Sequence, residues 1–305
     1  MVYEVDIIII SFNNFLLIEQ CIDSIYKSEN ALIQNIIVVD NASTDNTVAS
    51  LKAKYANITL IENQQNFGYA KAVNIGLRSC ISDYTIVSNN DVVYYPDTIH
   101  KLLLYLFEHK NAGAAGPKQR YPDGRLQYMG GELPSVKLGL EDLFFISGLK
   151  LRINRFIEII SKSEAIRYGY IDGAVIACRT EQIKSIGGFD ESFFFYSEEA
   201  DFCKRLSEIN LFAYIVPSAE IIHYRGAATG NNFNPGSIAM LIESQWIYCS
   251  KHLSSRETSI YARLEYLSYK WKSILNQILG NKSKSDNFRE YFNNWKRIIK
   301  ENKGG

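Results

Sequence analysis

Val5 to Ile10, Ile36 to Val39, Ile58 to Ile61 and Thr85 to Val87 form four short apolar runs, mostly β-branched, and helical spacing separates each from the next. Apolar side chains on successive positions leave no face for water, so such runs predict strands covered on both sides, as in a parallel sheet. Between them, Ile18, Cys21, Ile22 and Ile25 recur at helical intervals after Asn13 and Asn14, which offer a cap. Residues 44–55 and 70–80 read as further helices, and Pro96 predicts a helix start that runs through Phe107. Strand and helix in alternation predict an α/β, doubly wound, mostly parallel sheet.

Ligands of such sheets bind beyond the carboxyl ends of the strands. The polar clusters fall there: Ser11 to Asn13, Asp40 to Asp45, Asn63 to Asn66, and Asn89-Asn90-Asp91. Asn and Asp also build turns, and Ser43 and Asp45 stand where a helix cap would, so each cluster has a plain local reading as well. For Asp40 that reading is weaker, because an unpaired carboxylate at a buried strand end is costly. Neither G-x-G-x-x-G nor G-x-x-x-x-G-K-[ST] occurs. A nucleotide bound here would therefore be held by polar side chains and a metal.

Residues 117–170 are less regular: "YPDGRLQYMGG" reads as a turn-rich strand pair and 138–160 as one or two amphipathic helices. Beyond them, Tyr170–Arg179 is strand-like, Gly187–Leu206 is a loop entering a helix, and Ala213–Gly226 reads as two short strands. Strands without crossover helices predict a mixed sheet in this half. The glycine- and asparagine-rich stretch from His223 to Gly236 suits a lid over a ligand.

Charge divides the chain at about the same place as pattern does. Residues 246–305 hold 12 Lys/Arg against 5 Asp/Glu, whereas residues 1–245 hold 21 against 28. These stretches are expected to be a sheet domain (1–245) and a helical, basic, aromatic extension (246–305), which contains all three tryptophans. Ile260, Leu264, Leu267, Trp271, Ile274 and Ile278 make one helix stripe bordered by Arg256, Arg263 and Lys270. That pattern fits a helix lying on an anionic membrane surface, or one packed on its own domain or on a partner subunit. Nucleic acid is disfavoured, since the aromatics follow amphipathic stripes, and oligomerisation is left open. Five cysteines without C-x-x-C spacing predict a reduced, cytoplasmic protein. The chain shows no signal-peptide pattern and no apolar run of membrane-spanning length, so any membrane contact would be peripheral.

Seven motifs, in order, carry a resemblance to a known family. They are "IIIISFNN" (7–14), "NIIVVDNASTDNT" (35–47), "NQQNFGYAKAVNIG" (63–76), "VSNNDVVYYPD" (87–97), "AAGPKQRYPDGRLQ" (114–127), "GGFDESFFFYSEEADFCKR" (187–205) and "PSAEIIH" (217–223). Over roughly residues 5–225 the chain resembles glycosyltransferase family 2, with the GT-A fold, in its rhamnosyltransferase-like branch. The resemblance implies inverting transfer of a sugar, by family analogy rhamnose from dTDP-rhamnose, onto a saccharide or lipid-linked oligosaccharide of the cell surface. It implies Mn²⁺ or Mg²⁺ as cofactor, with Asp91 as ligand and His223 joining the metal or the diphosphate. The family's D-x-D motif stands here as Asn89-Asn90-Asp91, so one carboxylate remains. The E-D-x-D motif stands as Glu198-Glu199-Ala200-Asp201, which puts Glu199 in the place of the usual aspartate base, with Asp201 positioning it or the diphosphate. Asp40 would read the pyrimidine, with Ser11, Asn13 and Asp45 in the same pocket and Asn66 and Lys71 nearer the ribose and phosphates. Asp172 would meet donor or acceptor hydroxyls, and Arg225 the diphosphate. Both departures also feed a second reading, a catalytically silent sugar-nucleotide-binding protein. A nucleotidyltransferase would need a glycine-rich N-terminal loop that is not present.

Overall fold

The computed structural model describes residues 3–150, 164–225 and 235–302. In chain order the elements begin with β1 (Tyr3–Ser11), α1 (Phe15–Tyr26), β2 (Ala31–Asp40), α2 (Thr47–Lys54), β3 (Thr59–Glu62), α3 (Tyr69–Leu77) and β4 (Tyr84–Asn89). Then come β5 (Val92–Tyr94), α4 (Thr98–Glu108), β6 (Ala112–Arg120), β7 (Gly130–Gly131), α5 (Val136–Leu143), β8 (Ile166–Tyr168), β9 (Tyr170–Ile171) and β10 (Val175–Arg179). The chain continues through α6 (Thr180–Ser185), α7 (Glu198–Glu208), β11 (Phe212–His223), α8 (Pro235–His252), α9 (Ser255–Ile278) and α10 (Lys282–Glu301). Two compact units result: residues 1–131, 161–194 and 198–231 form one, and 132–160, 195–197 and 232–305 the other.

The first unit is built on one sheet of order β3-β2-β1-β4-β10-β6-β11-β5, with β8 also on β11. β3, β2, β1 and β4 are mutually parallel, as their unbroken apolar runs predict. β10 then enters antiparallel between β4 and β6, and the far half is mixed. Covering helices bury the faces their spacing assigns: α1 turns Leu17, Ile18, Cys21, Ile22 and Ile25 inward. Gly76 lets α3 lie close, since a Cβ there would come within 2.6 Å of Ile8 Cγ2. Asp6, a carboxylate buried inside β1, is satisfied by Asn35 Nδ2 (2.7 Å) and the N–H groups of Ile81 and Ser82 (2.6 and 2.8 Å).

Some expectations are corrected. Ala213–Gly226 does not split into two strands: β11 is one strand, and its register against β6 shifts between Val216 and Glu220. Pro217 sits at that irregularity, one of the few places a sheet tolerates a residue without N–H. Pro96 lies in the turn before α4, and Asp97 takes the N-cap position. The strand β5 had no pattern long enough to announce it. The expected lid falls largely on residues 226–234, outside the described residues, as does much of the helical stretch at 138–160.

The second unit holds α5, α8, α9 and α10. Its helix α9 opens with a capping box between Ser254 and Glu257. α9 and α10 run antiparallel, with Tyr261 on Trp295, Tyr266 on Phe292 and Ser273 hydrogen-bonded to Ser285. The buried side of α9 is not the apolar stripe: it consists of Thr258, Tyr261, Ala262, Glu265, Ser268 and Ser273. No helix among the described residues is long and apolar enough to cross a membrane.

Candidate active site

At the carboxyl ends of β1 and β2, Ser11 and Asp40 lie in register on neighbouring strands. The chain leaves β1 through two left-handed residues, Asn13 (φ 59°) and Asn14 (φ 67°), a conformation asparagine tolerates. This turn is knitted to the one after β2. Asn13 N–H donates to Ser43 Oγ (2.7 Å), Thr44 N–H donates to Asn13 Oδ1 (2.8 Å), and Asn14 N–H donates to Asp45 Oδ2 (2.8 Å). Asp40 is buried and accepts from both the N–H (2.8 Å) and the hydroxyl (2.5 Å) of Ser43. Ser11 Oγ is buried and has no partner among the described residues. Asp45, one position before the N-cap Asn46, also accepts from the N–H of Thr47, the first residue of α2. Desolvation raises its pKa, but the hydrogen bonds from Thr47 and Asn14 outweigh this and hold it low.

Beside this pocket β4 ends in the Asn89-Asn90-Asp91 turn. Asn90 Nδ2 reaches Asn13 O at 3.4 Å, and Asn89 N–H donates to Ala174 O at 2.9 Å, so the turn joins the β1 end to the segment before β10. Asp91 is buried, and its Oδ1 lies 3.3 Å from Nε2 of His223, the last residue of β11. His223 Nδ1 is 3.1 Å from Gln119 Oε1, and Gln127 Nε2 donates to His223 O at 2.5 Å. Gln119 Oε1 can take the proton on Nδ1, and that arrangement leaves Nε2 and Asp91 Oδ1 as neighbouring ligand atoms 3.3 Å apart. Two such atoms at that spacing can share one cation. Among the described residues no third His, Cys, Asp or Glu joins the pair. A cation here would complete its shell with water and phosphate oxygens, which Mg²⁺ and Mn²⁺ do readily.

The third group stands on α7. Tyr196 (φ 72°) and Ser197 (φ 63°) both take the left-handed backbone, an uncommon strain that sets the direction of the helix start. Glu198 is buried with Oε2 unpartnered, and burial, then the charge of Glu199, pushes its pKa well above the usual range. Glu199 is half-buried; burial first and Asp172 next raise its pKa to about 7, while Arg225 opposes them. Asp172 accepts from Ala174 N–H (3.0 Å) and pairs with Arg225 Nη2 (3.2 Å), and Arg225 Nη1 donates to Tyr128 O (3.2 Å).

The structure thus links Ser11, Asn13, Asp40 and Asp45 with the Asn89–Asp91 turn and His223, and through Ala174 with Asp172 and Arg225, whose charges act on Glu199. Asp201 is engaged elsewhere: it is fully buried against Arg205 Nε (2.7 Å), whose other nitrogens donate to Ile186 O and Gly188 O. Asn66 closes an Asx turn on Gly68 N–H (2.9 Å), and Lys71 lies over the Phe67 ring at 4.4 Å. Gly68 must be glycine: its φ is 82°, and a Cβ would lie 2.4 Å from Phe194 O.

Sequence reasoning missed Gln119, Gln127, Tyr69, Tyr128 and Tyr170. Tyr69 Oη donates to Gly173 O (2.7 Å), and the hydroxyls of Tyr128 and Tyr170 are 3.0 Å apart. A signal for the two glutamines was available: each stands four residues from Asp123, the centre of the Tyr121–Arg125 turn, and Gln127 N–H donates to Gln119 O at 3.0 Å. Equivalent positions across a turn share one side of the sheet.

The family model described as Glycosyl transferase family 2 matches residues 6–174. The chain is 30% identical over 214 residues to an N-acetylglucosaminyl-diphospho-decaprenol L-rhamnosyltransferase of Mycobacterium tuberculosis, covering 65% of this chain and 69% of that one. It is 27% identical over 193 residues to the pre-mycofactocin glycosyltransferase of the same organism, over 62% of this chain and 37% of that one. Among solved structures, it superposes on a mannosyltransferase of Pyrobaculum calidifontis in complex with GDP-Man and Mn²⁺ with a TM-score of 0.58 at 15% identity, covering 97% of this chain and 84% of that one. It superposes on GalNAc-T7, solved with UDP, GalNAc and Mn²⁺, with a TM-score of 0.62 at 12% identity, over 97% of this chain and 56% of that one. These two share the GT-A architecture with the chain.

Proposed function

The chain belongs to glycosyltransferase family 2, and from that premise we propose that it moves a sugar, with inversion, from a nucleoside diphosphate donor to a saccharide or lipid-linked oligosaccharide of the cell surface. L-Rhamnose from dTDP-rhamnose is the donor favoured by likeness to the mycobacterial rhamnosyltransferase, whose name also specifies a lipid-linked acceptor. The observation that carries the reading is the buried Asp91–His223 pair, tied through Asn89, Ala174 and Asp172 to the charges that act on Glu199.

The tasks divide among this chain's residues. Glu199 accepts the proton of the acceptor hydroxyl as that oxygen attacks the anomeric carbon, and a pKa near neutrality suits a base that must be ionised yet basic. Glu198, kept neutral by burial and by its neighbour, spares the site a second adjacent charge. Asp172 and Arg225 hold each other, which positions the guanidinium for the diphosphate and sets the field on Glu199. Asp40, Asn13 and Asp45 would border the nucleoside, and Ser11 the floor beneath it. Asp91 and His223 would hold Mn²⁺ or Mg²⁺, and such a cation, when bound, neutralises charge on the departing diphosphate. Asp201 acts at one remove, through Arg205 and the loop it fixes.

Incubation with dTDP-rhamnose, UDP-galactose and UDP-N-acetylglucosamine, each with Mn²⁺, Mg²⁺ or EDTA, tests the reading through nucleoside diphosphate release and thermal shift. Metal-dependent release that vanishes in Asp91→Ala and in Glu199→Gln supports transfer chemistry. Donor-induced stabilisation with no release from any donor would instead identify a catalytically silent sugar-nucleotide-binding protein.

A further inference from the structure

Helix α9 has two unlike faces. Toward α10 it packs Tyr261, Tyr266 and Tyr269 on Trp295, Phe292 and Tyr291, with the buried Glu265 and Ser268 on its inner side. Away from that packing, the second half of the helix leaves apolar side chains in water: Trp271 is 53% exposed, Ile278 76% and Leu279, just past its end, 71%, with Leu267, Ile274 and Leu275 also open. A helix that meets only water on its outer face carries polar side chains there, not a stripe that includes a tryptophan. α5 extends the patch. A Cβ on Gly139 would touch Tyr261 and Leu264, and Ser268 Oγ donates to Asp142 O, so α5 and α9 run in the same sense. Phe144, in the turn that ends α5 two residues past Asp142, is 66% exposed. Contiguous apolar surface of this extent marks an interaction site.

Charge on the rim distinguishes the occupants. Arg263, Lys270, Lys282 and Lys284 are exposed along or just beyond α9, and none has an acidic partner among the described residues. A two-fold contact with a second copy would bring these cations against their own counterparts. An anionic bilayer answers both features at once, taking the apolar side chains into its boundary layer and the cations at its phosphates.

We propose that this face of the second unit docks on an anionic membrane surface, with Trp271, Ile278, Leu279 and Phe144 at the headgroup–acyl boundary and the lysines above them. Docking would hold the enzyme on the surface that carries a lipid-linked acceptor; in that purpose alone it rests on the function proposed above, since binding needs no turnover.

Sedimentation of the full chain with phosphatidylcholine vesicles, with and without roughly a third phosphatidylglycerol, tests the docking without donor. Binding should appear with the anionic lipid and weaken in high salt. The triple variant Trp271→Ser, Ile278→Ser, Leu279→Ser should lower the partition coefficient by about tenfold or more. The variant Lys270→Glu, Lys282→Glu, Lys284→Glu, altered only at exposed positions, should lose the preference for phosphatidylglycerol. Nucleoside diphosphate release in lipid-free buffer should stay at the wild-type level in both variants, so a failed transferase reading and a failed docking reading give different results. Equal sedimentation with and without anionic vesicles overturns the proposal. So does a self-associated species, seen by sedimentation velocity, that the apolar triple variant disperses.

Discussion

Changing the charges around Glu199 should move the acidic limb of the pH–rate profile in directions fixed by the structure. With a pKa of about 7, the carboxyl is about 9% ionised at pH 6 and about 91% at pH 8. kcat/KM should therefore rise roughly tenfold between those values and fall by about tenfold per unit below pH 6. Asp172 raises the pKa and Arg225 lowers it, and the two are paired at 3.2 Å. Asp172→Asn removes a like charge and releases the guanidinium, so both effects move the midpoint down. Arg225→Ala removes the favourable cation and moves the midpoint up. Absolute rates will fall in both variants, but the midpoint is independent of that loss. Glu199→Gln should cost about 10² to 10⁴ in kcat and abolish the limb altogether. The assay is nucleoside diphosphate release across pH 5–9 under saturating metal. A limb that stays put in both charge variants, or a limb that survives Glu199→Gln, would refute the assignment of the base.

Other consequences can be checked with the same protein. Asp91→Asn should erase the thermal shift that Mn²⁺ gives in the presence of donor, while Asn89→Asp, which restores a second carboxylate to the turn, should strengthen it. Arg205→Ala should lower stability by about 3–5 kcal/mol in a urea titration, because the fully buried Asp201 carboxylate loses the guanidinium that balances its charge; Asp201→Asn with Arg205→Ala should recover part of that. In the second unit, burial and then the charge of Asp142 push buried Glu265 up to about 8. A pKa raised on folding gives stability that is fully present below the unfolded value and is lost as pH rises through about 8. Thermal melts from pH 5 to 9 should show that decline in the wild type and a flatter profile in Glu265→Gln.

The first half of the sheet was legible because its strands are doubly covered and its helices bury one stripe each; those periods are written in Val5–Ile10 and in Ile18, Cys21, Ile22 and Ile25. β6 was harder, since "AGAAG" has neither bulk nor alternation, and its burial comes from neighbours on both sides. The polar strand ends marked the site, yet its second half depends on residues far apart in sequence. Nothing local states that His223 meets Asp91, or that Arg225 meets Asp172. The fate of Asp201 was also hidden, because an i,i+4 pair with Arg205 was as visible in "DFCKR" as a catalytic role. On α9 the apolar stripe was read correctly as a stripe, but periodicity alone cannot tell the packed side from the open one.

The insertion of β11 between β6 and β5 has a bearing on synthesis of the chain. A ribosome-bound fragment ending before Phe212 has already made both flanking strands, and each then offers an unfilled ladder of N–H and C=O groups. Such borders invite pairing with another nascent chain. The last strand to emerge is the one that seals them, and it also delivers the imidazole. Truncations just short of this strand should consequently aggregate, not fold into a smaller inactive protein.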